Sequence, residues 1–264
     1  MLEGGTVDNS LSWRVLSDPP LQGFENMARD HALAEELEVG EAVLRLYGWD
    51  RPTVSLGRNE PGKRSYDIAR AREAGIPFVR RPTGGRAVLH SDELTYAVVA
   101  PLRALGGLRQ VYELVNKGLM MGLRALGANV ELASSSGVAT KPDAGPCFRE
   151  PAAGEVTSGG RKLIGSAQAR MGDGFLQHGS LLLGGDQGAL ERLRRDGQVV
   201  ESPATLSGLL GRSPEWDEVT AAIRAGLEEA LGGRWTDGAM RGQESETQTR
   251  LEVMYASDEW TWRV

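Results

Sequence analysis

The chain has 264 residues, with 36 acidic against 30 basic side chains, a net charge of −6 and a pI near 5.3. That balance argues against nucleic acid as a partner, which needs a basic stripe, and no apolar run approaches the ~18 residues of a spanning helix. A single cysteine and three scattered histidines rule out an internal disulfide framework and give no metal-ligand spacing.

The opening MLEGGTVDNSLSW lacks the basic start and apolar stretch of a secretory signal. A cytoplasmic enzyme with one core, no metal, no cofactor and no membrane association is therefore expected. Trp13 to Leu16 reads as a short strand. From Phe24 the positions Met27, Ala28, His31, Ala34 and Leu37 recur at helical spacing, giving an amphipathic helix that ends near Gly40, with His31 a packed boundary histidine. Ala42 to Trp49 alternates as a strand, and Thr53 to Leu56 is its expected hairpin partner. Tyr66 to Ala74 reads as a short helix stopped by Gly75. Phe78 and Val79 lead a strand into RRPTGGRAVLH, Arg80 to His90, whose paired glycines weaken a strand unless something must approach the backbone closely.

Leu94 to Val99 continues as a strand, and Leu108, Val111, Tyr112, Val115, Leu119, Leu123 and Leu126 mark the longest helix, stopped at Gly127. Asn129 to Leu132 reads as a strand before a Ser/Gly/Pro-rich loop from Ser134 to Pro146. Phe175 to Leu183 is a strand with Leu176, His178 and Ser180 on one face. Helices are expected over Ala189 to Arg195 and from Ser213, where Ser213 suits an N-cap and Pro214 the first turn; Trp216, Val219, Ile223, Leu227 and Leu231 form its stripe. The remainder is polar up to Leu251.

The chemistry centres on Gly145 to Gln168, GPCFREPAAGEVTSGGRKLIGSAQ, which holds Cys147 and, fifteen residues later, Lys162. A free thiol with a pKa of about 8.5 is only a few per cent thiolate at neutral pH. Lowering that pKa to about 7 takes roughly 2 kcal/mol, and an ammonium about 4 Å away supplies up to about 4 kcal/mol at an effective dielectric near 20. Read alone, Cys147 is a small buried hydrophobe; its place after Pro146 in a Gly/Pro-rich loop points to a presented nucleophile. The turn at Gly160 feeding a strand would project Lys162 from a fixed backbone. No GxGxxG is present, and Gly160 to Ser166 lacks the lysine of a phosphate-binding loop.

Together RRPTGGRAVLH, PCF ahead of GRKLIGSAQ, and QHGSLL (Gln177 to Leu182) resemble the lipoate-protein ligase and octanoyltransferase family. The closest likeness is to its cysteine-dependent octanoyltransferases, which load octanoyl groups onto the glycine cleavage H protein. The resemblance implies an α+β fold: a mixed, largely antiparallel β-sheet flanked by helices, the biotin/lipoate protein ligase-like catalytic domain. It implies a single catalytic domain over 1–264, with the motifs in 13–231 and a C-terminal segment, 232–264, packed back on it. Cys147 and Lys162 would be catalytic. Arg81, Thr83, Gly84, Gly85, His90, Gly165, Ser166 and His178 would bind substrate, although the residues alone equally allow Arg80, Arg81 and Arg86 as solvated charges and His178 as a structural histidine. Arg86 replaces a third glycine common in ATP-dependent ligases, which favours the transferase branch.

The implied reaction takes octanoyl from octanoyl-acyl carrier protein, through a Cys147 thioester, to a lysine of the glycine cleavage H protein or another lipoyl domain, without a cofactor. Lys162 would act as a cation or as a base. An ATP-dependent ligase, an amidotransferase between lipoyl domains and a non-catalytic acyl-binding module are the alternatives. At ~0.8 kcal/mol per CH₂ the octanoyl tail contributes about 5 kcal/mol, which separates short chains strongly and neighbouring lengths weakly. Chain-length preference is not legible at this level.

Overall fold

In the computed structural model, residues 11–133, 153–185, 187–197 and 202–264 are described; Cys147 and the loop expected at 134–146 lie outside them. In chain order the elements are β1 (Ser12–Ser17), α1 (Gly23–Glu35), β2 (Glu41–Tyr47), β3 (Thr53–Leu56), α2 (Gly62–Ser65), α3 (Ile68–Glu73), β4 (Phe78–Arg80), β5 (Val88–His90), β6 (Glu93–Pro101) and α4 (Leu108–Ala125). There follow β7 (Glu131–Leu132), β8 (Val156–Ser158), β9 (Arg161–Lys162), β10 (Ile164–Met171), β11 (Gly174–Leu182), α5 (Gly188–Leu193), α6 (Leu206–Leu210), α7 (Trp216–Leu231), β12 (Arg234–Asp237), α8 (Gly242–Tyr255) and α9 (Asp258–Thr261).

The fold is α+β. Its main sheet runs β10-β11-β6-β2-β1-β12. Each neighbouring pair among the first four strands is antiparallel, and β1 is parallel to both β2 and β12. Alternation along the strands feeds two cores. Trp13, Val15, Leu44, Leu46, Tyr96, Val98 and Phe175 join one face to α4 and α7. Leu16, Val43, Tyr47, Ala97, Val99 and Leu176 join the other to α1 and α8. Burial on both faces is why these strands read as nearly continuous apolar runs, and why a polar residue inside one of them needs a partner. Small sheets β4-β3-β5 and β7-β8-β9 flank the large one.

The hairpin expected between β2 and β3 does not form. Both edges of β2 are occupied, by β1 and β6, while β3 pairs with β4 and β5. The connecting residues are tied instead to the start of α1, through Asn26 Nδ2 donating to the Gly48 carbonyl (3.1 Å) and Asp50 N–H donating to Leu21 (3.0 Å). The helix read over Tyr66 to Ala74 forms but starts at Ile68, because Tyr66 bridges to Arg194 and its hydroxyl donates to Glu60 (3.0 Å); Asp67 then caps α3. Helix α7 begins later than Ser213–Pro214 suggests. Glu215 is its N-cap, and Asp217 and Glu218 lie in its first turn, where the helix dipole favours them. Arg212 folds back onto Glu218 (2.8 Å), leaving 213–215 ahead of the helix.

The C-terminal segment, read as mostly polar, forms β12, α8 and α9. Only Glu244, Thr247, Gln248, Leu251 and Tyr255 of α8 are buried, so little apolar periodicity marks it. It packs on α1, and Trp260 Nε1 donates to the Arg80 carbonyl (2.7 Å) while Arg80 Nε donates to Thr261 (2.9 Å). Among the described residues no helix is long and apolar enough to cross a membrane.

Helices α4 and α7 cross through Gly118, Gly122 and Gly226. A Cβ at Gly122 would run into the Ala222 carbonyl and then the Ile223 backbone. Gly122→Val is therefore expected to lower stability by about 1–3 kcal/mol through overpacking, read as a lower urea midpoint with an unchanged m-value.

Candidate active site

Strand register decides which residues share the face beneath α1. Gly165, Ser180, Thr95 and Tyr47 are successive partners across β10, β11, β6 and β2 and form one row. The next row is Ala167, His178, Ala97 and Arg45, and the one after it, Ala169, Leu176, Val99 and Val43, is apolar apart from the backbone. Over the first two rows lies a narrow cavity of about 30 Å³. Met27, Trp49, Ser55, Arg81, Val88 and His90 complete its walls.

Two buried ions build the inner wall. Arg45 sits in the middle of a strand whose neighbours are apolar, fully removed from solvent. Its guanidinium donates to Asp30 (2.7 Å), Asp18 (2.6 Å) and the side chain of Asn26 (2.7 Å). Asp30 also accepts from the Tyr47 hydroxyl (2.8 Å) and bonds His178 Nδ1 (2.9 Å). Burial pushes the Asp30 carboxyl up, but Arg45 and His178 outweigh it, so the group stays below the usual carboxylate range and ionised. Burial is the largest influence on His178 and lowers its pKa below 6.5 despite Asp30. An ionised Asp30 can only accept, so Nδ1 of the neutral ring carries the proton. Nε2 then accepts from the Thr83 hydroxyl at 2.7 Å.

A second histidine is held in the same way. His90 Nδ1 meets Glu93 Oε1 (2.7 Å) and Nε2 meets the Ser55 hydroxyl (2.7 Å). Thr95 and Ser180 also donate to Glu93 Oε1, at 2.6 and 2.8 Å. Trp49 donates to Thr95 (2.8 Å) and stacks on His90, with ring centres 3.8 Å apart. These bonds turn the polar side chains of the wall toward one another.

Arg81 is not a solvated charge. It is 5% exposed and donates to the Ser55 carbonyl and hydroxyl and to the carbonyls of Gly84 (2.9 Å) and Arg86 (2.6 Å), drawing the glycine loop over the cavity. Gly85 has φ +88°, and a Cβ on Gly57 would run into its carbonyl. The close approach signalled by the paired glycines is thus partly one backbone against another. On the other face of the sheet the Ser166 side chain bonds the Tyr96 hydroxyl (2.8 Å), which accepts from Gln177 (3.0 Å); burial raises the Tyr96 pKa to about 12.

Arg81, His90, Gly165, Ser166 and His178 therefore line one cavity, and Thr83 joins through His178. Lys162 lies outside its lining, in β9, three residues before Gly165; its ammonium, 3% exposed, donates to Glu155 at 2.7 Å. The sequence reading missed Asp30, Arg45, Ser55, Glu93, Glu155 and Ser180. Two of them carried a signal. Asp30 falls on the buried stripe of α1, and Arg45 interrupts the apolar run AVLRLY, the placements where an ionisable group requires a partner.

The chain matches the family model described as Lipoyl protein ligase A/B catalytic domain over residues 22–228. It is 39% identical to Octanoyltransferase LipM of Symbiobacterium thermophilum over 272 residues, 96% of this chain and 98% of that protein. Against Octanoyltransferase LipM of Kyrpidia tusciae it is 37% identical over 273 residues, 96% and 99% of the two chains. Among solved structures it superimposes on a bi-partite lipoate protein ligase from Thermoplasma acidophilum with a TM-score of 0.78 at 20% identity, covering 96% of each chain, a likeness of fold.

With its pKa lowered, folded His178 resists protonation while the unfolded residue titrates near 6.5. Its contribution to stability is complete above 6.5 and is lost as pH falls from there through the folded value. The stability advantage of the wild type over His178→Gln is expected to shrink on acidification below pH 6.5, measured by urea unfolding. NMR of the ring should show the Nδ1–H tautomer at pH 7.

Proposed function

The chain belongs to the lipoyl protein ligase A/B catalytic-domain family, and from that premise we propose a two-step octanoyl transfer through Cys147. The activity is that of an octanoyltransferase of lipoate biosynthesis, the one named for its full-length relatives. In the first step the Cys147 thiolate attacks the carbonyl of octanoyl-acyl carrier protein. A new C–S bond forms, the carrier's C–S bond breaks, and the carrier thiol leaves with the proton that Cys147 released. In the second, the lysine amine of a lipoyl-type domain, that of the glycine cleavage H protein foremost, attacks octanoyl-Cys147. The amide forms, one amine proton is withdrawn, and Cys147 is regenerated.

One observation supports this reading: Lys162, held at 2.7 Å by Glu155, comes three residues before Gly165 and four before Ser166, which line the cavity. A cation there stabilises a thiolate brought close to it. Glu155, 2.7 Å from the ammonium, is a proton acceptor already in place, so the pair also suits withdrawal of the amine proton. Transfer between thiols is close to balanced and aminolysis runs downhill, so no nucleotide enters. Arg86 in place of a third glycine agrees with that. A cytoplasmic setting, where octanoyl carrier and lipoyl domains meet, belongs to the same reading.

Intact mass after mixing with octanoyl-carrier protein is expected to show one added octanoyl group, labile to hydroxylamine and absent from Cys147→Ala, with transfer to the lipoyl domain independent of ATP. Lys162→Met should slow loading about 10²–10⁴-fold. Transfer that survives Cys147→Ala and requires ATP would instead identify a ligase.

A further inference from the structure

The cavity has a direction. Its first row runs Gly165, Ser180, Thr95, Tyr47 across neighbouring strands, starting at β10, the edge of the main sheet. At the β10 end Ser166 and Ala167 are partly exposed, and Lys162 is three residues before Gly165. At the β2 end Met27, Tyr47 and Trp49 are 2%, 0% and 7% exposed and belong to one buried apolar cluster. The first end is a mouth and the second is closed.

Resting on the transfer reading above, we propose that Met27 sets the acyl-chain length this enzyme accepts: the chain enters at β10, lies along the first row and ends against the Met27 side chain. The dimensions agree. Three inter-strand spacings give about 14 Å from Gly165 to Tyr47, and the side chains of Tyr47, Trp49 and Met27 fill the far part. An extended chain advances about 1.2 Å per bond, as a backbone does, so eight carbons need about 8 Å and sixteen need about 18 Å. The row holds the first and excludes the second.

Of the three closing side chains, only Met27 is free to change size. The Tyr47 hydroxyl donates to Asp30 and its ring lies under the Arg45 guanidinium, 3.8 Å from the ring centre. Trp49 is bonded to Thr95 and stacked on His90. Substituting either ring disturbs the wall itself. Met27 reaches the cavity from α1 by packing alone, with the adaptable thioether of a gap-filling residue. The polar side chains of the lining bond one another and Glu93 Oε1, while the other Glu93 oxygen, itself outside the lining, is left unpartnered.

The test compares hexanoyl, octanoyl, decanoyl and dodecanoyl thioesters on one carrier, reading the ratios of kcat/KM within each variant so that differences in expression or stability cancel. One methylene in an apolar pocket is worth about 10–200-fold. Met27→Ala is expected to raise the decanoyl-to-octanoyl ratio at least about tenfold, and Met27→Phe to raise the hexanoyl-to-octanoyl ratio; either variant that folds suffices. Ala167→Val, at the mouth, should lower all lengths alike. Unchanged ratios in a Met27 variant shown folded by circular dichroism, or a shift as large in Ala167→Val, would overturn the assignment. A wild type that takes up no acyl group from any of these donors would overturn the transfer reading instead.

Discussion

The arrangement of this site depends on one interaction, the buried ion pair between Arg45 and Asp30. Each charge alone would be costly so far from water, and together they are retained because every polar atom around them is engaged: Arg45 by Asp18, Asn26 and Asp30, and Asp30 by Arg45, Tyr47 and His178. The pair is a joint between two layers, since Arg45 belongs to the central sheet and Asp30 to the helix that covers it. From that joint the Tyr47 ring, the His178 tautomer and, through His178, the position of Thr83 all follow. Hydrogen bonding transmits rigidity here more than it transfers protons.

The second constraint is the alternation of a β-sheet. Two adjacent rows of one face supply the floor of the cavity, and the loop from Arg81 to Arg86 and the strand β5 supply its cover. Gly165, Ala167 and Ala97 are small, and the absence of bulk at these positions makes room between floor and cover. The arginine that draws the loop down donates to the carbonyl groups of Gly84 and Arg86, so the loop is shaped through its own backbone.

A separation of duties results. In the proposed transfer Lys162 and Glu155, paired just ahead of the edge strand β10, would serve the chemistry, while Met27 at the sealed end would judge chain length by packing. Chemistry and selectivity could then change independently, because the residues proposed for them belong to different elements.

Much of this was legible without coordinates. The strands β1, β6 and β11, the helix α4 and the placement of Arg81, His90, Ser166 and His178 near one another follow from period and motif, because local alternation and ordered motif spacing survive in one dimension. What remained invisible was whatever depends on partners distant in the chain. The β2–β3 hairpin was expected because adjacency in sequence is all that a pattern can see; which strands occupy the edges of β2 is a competition settled in three dimensions. Asp30, Arg45, Ser55 and Glu93 announce only that they need partners, not which. Helix α8 hides because so narrow a stripe of it is buried. By itself the order of residues determined the family and the reaction class. Tertiary structure alone decided how those side chains are oriented and where the cavity closes, since a pocket's length is a distance between backbones far apart along the chain.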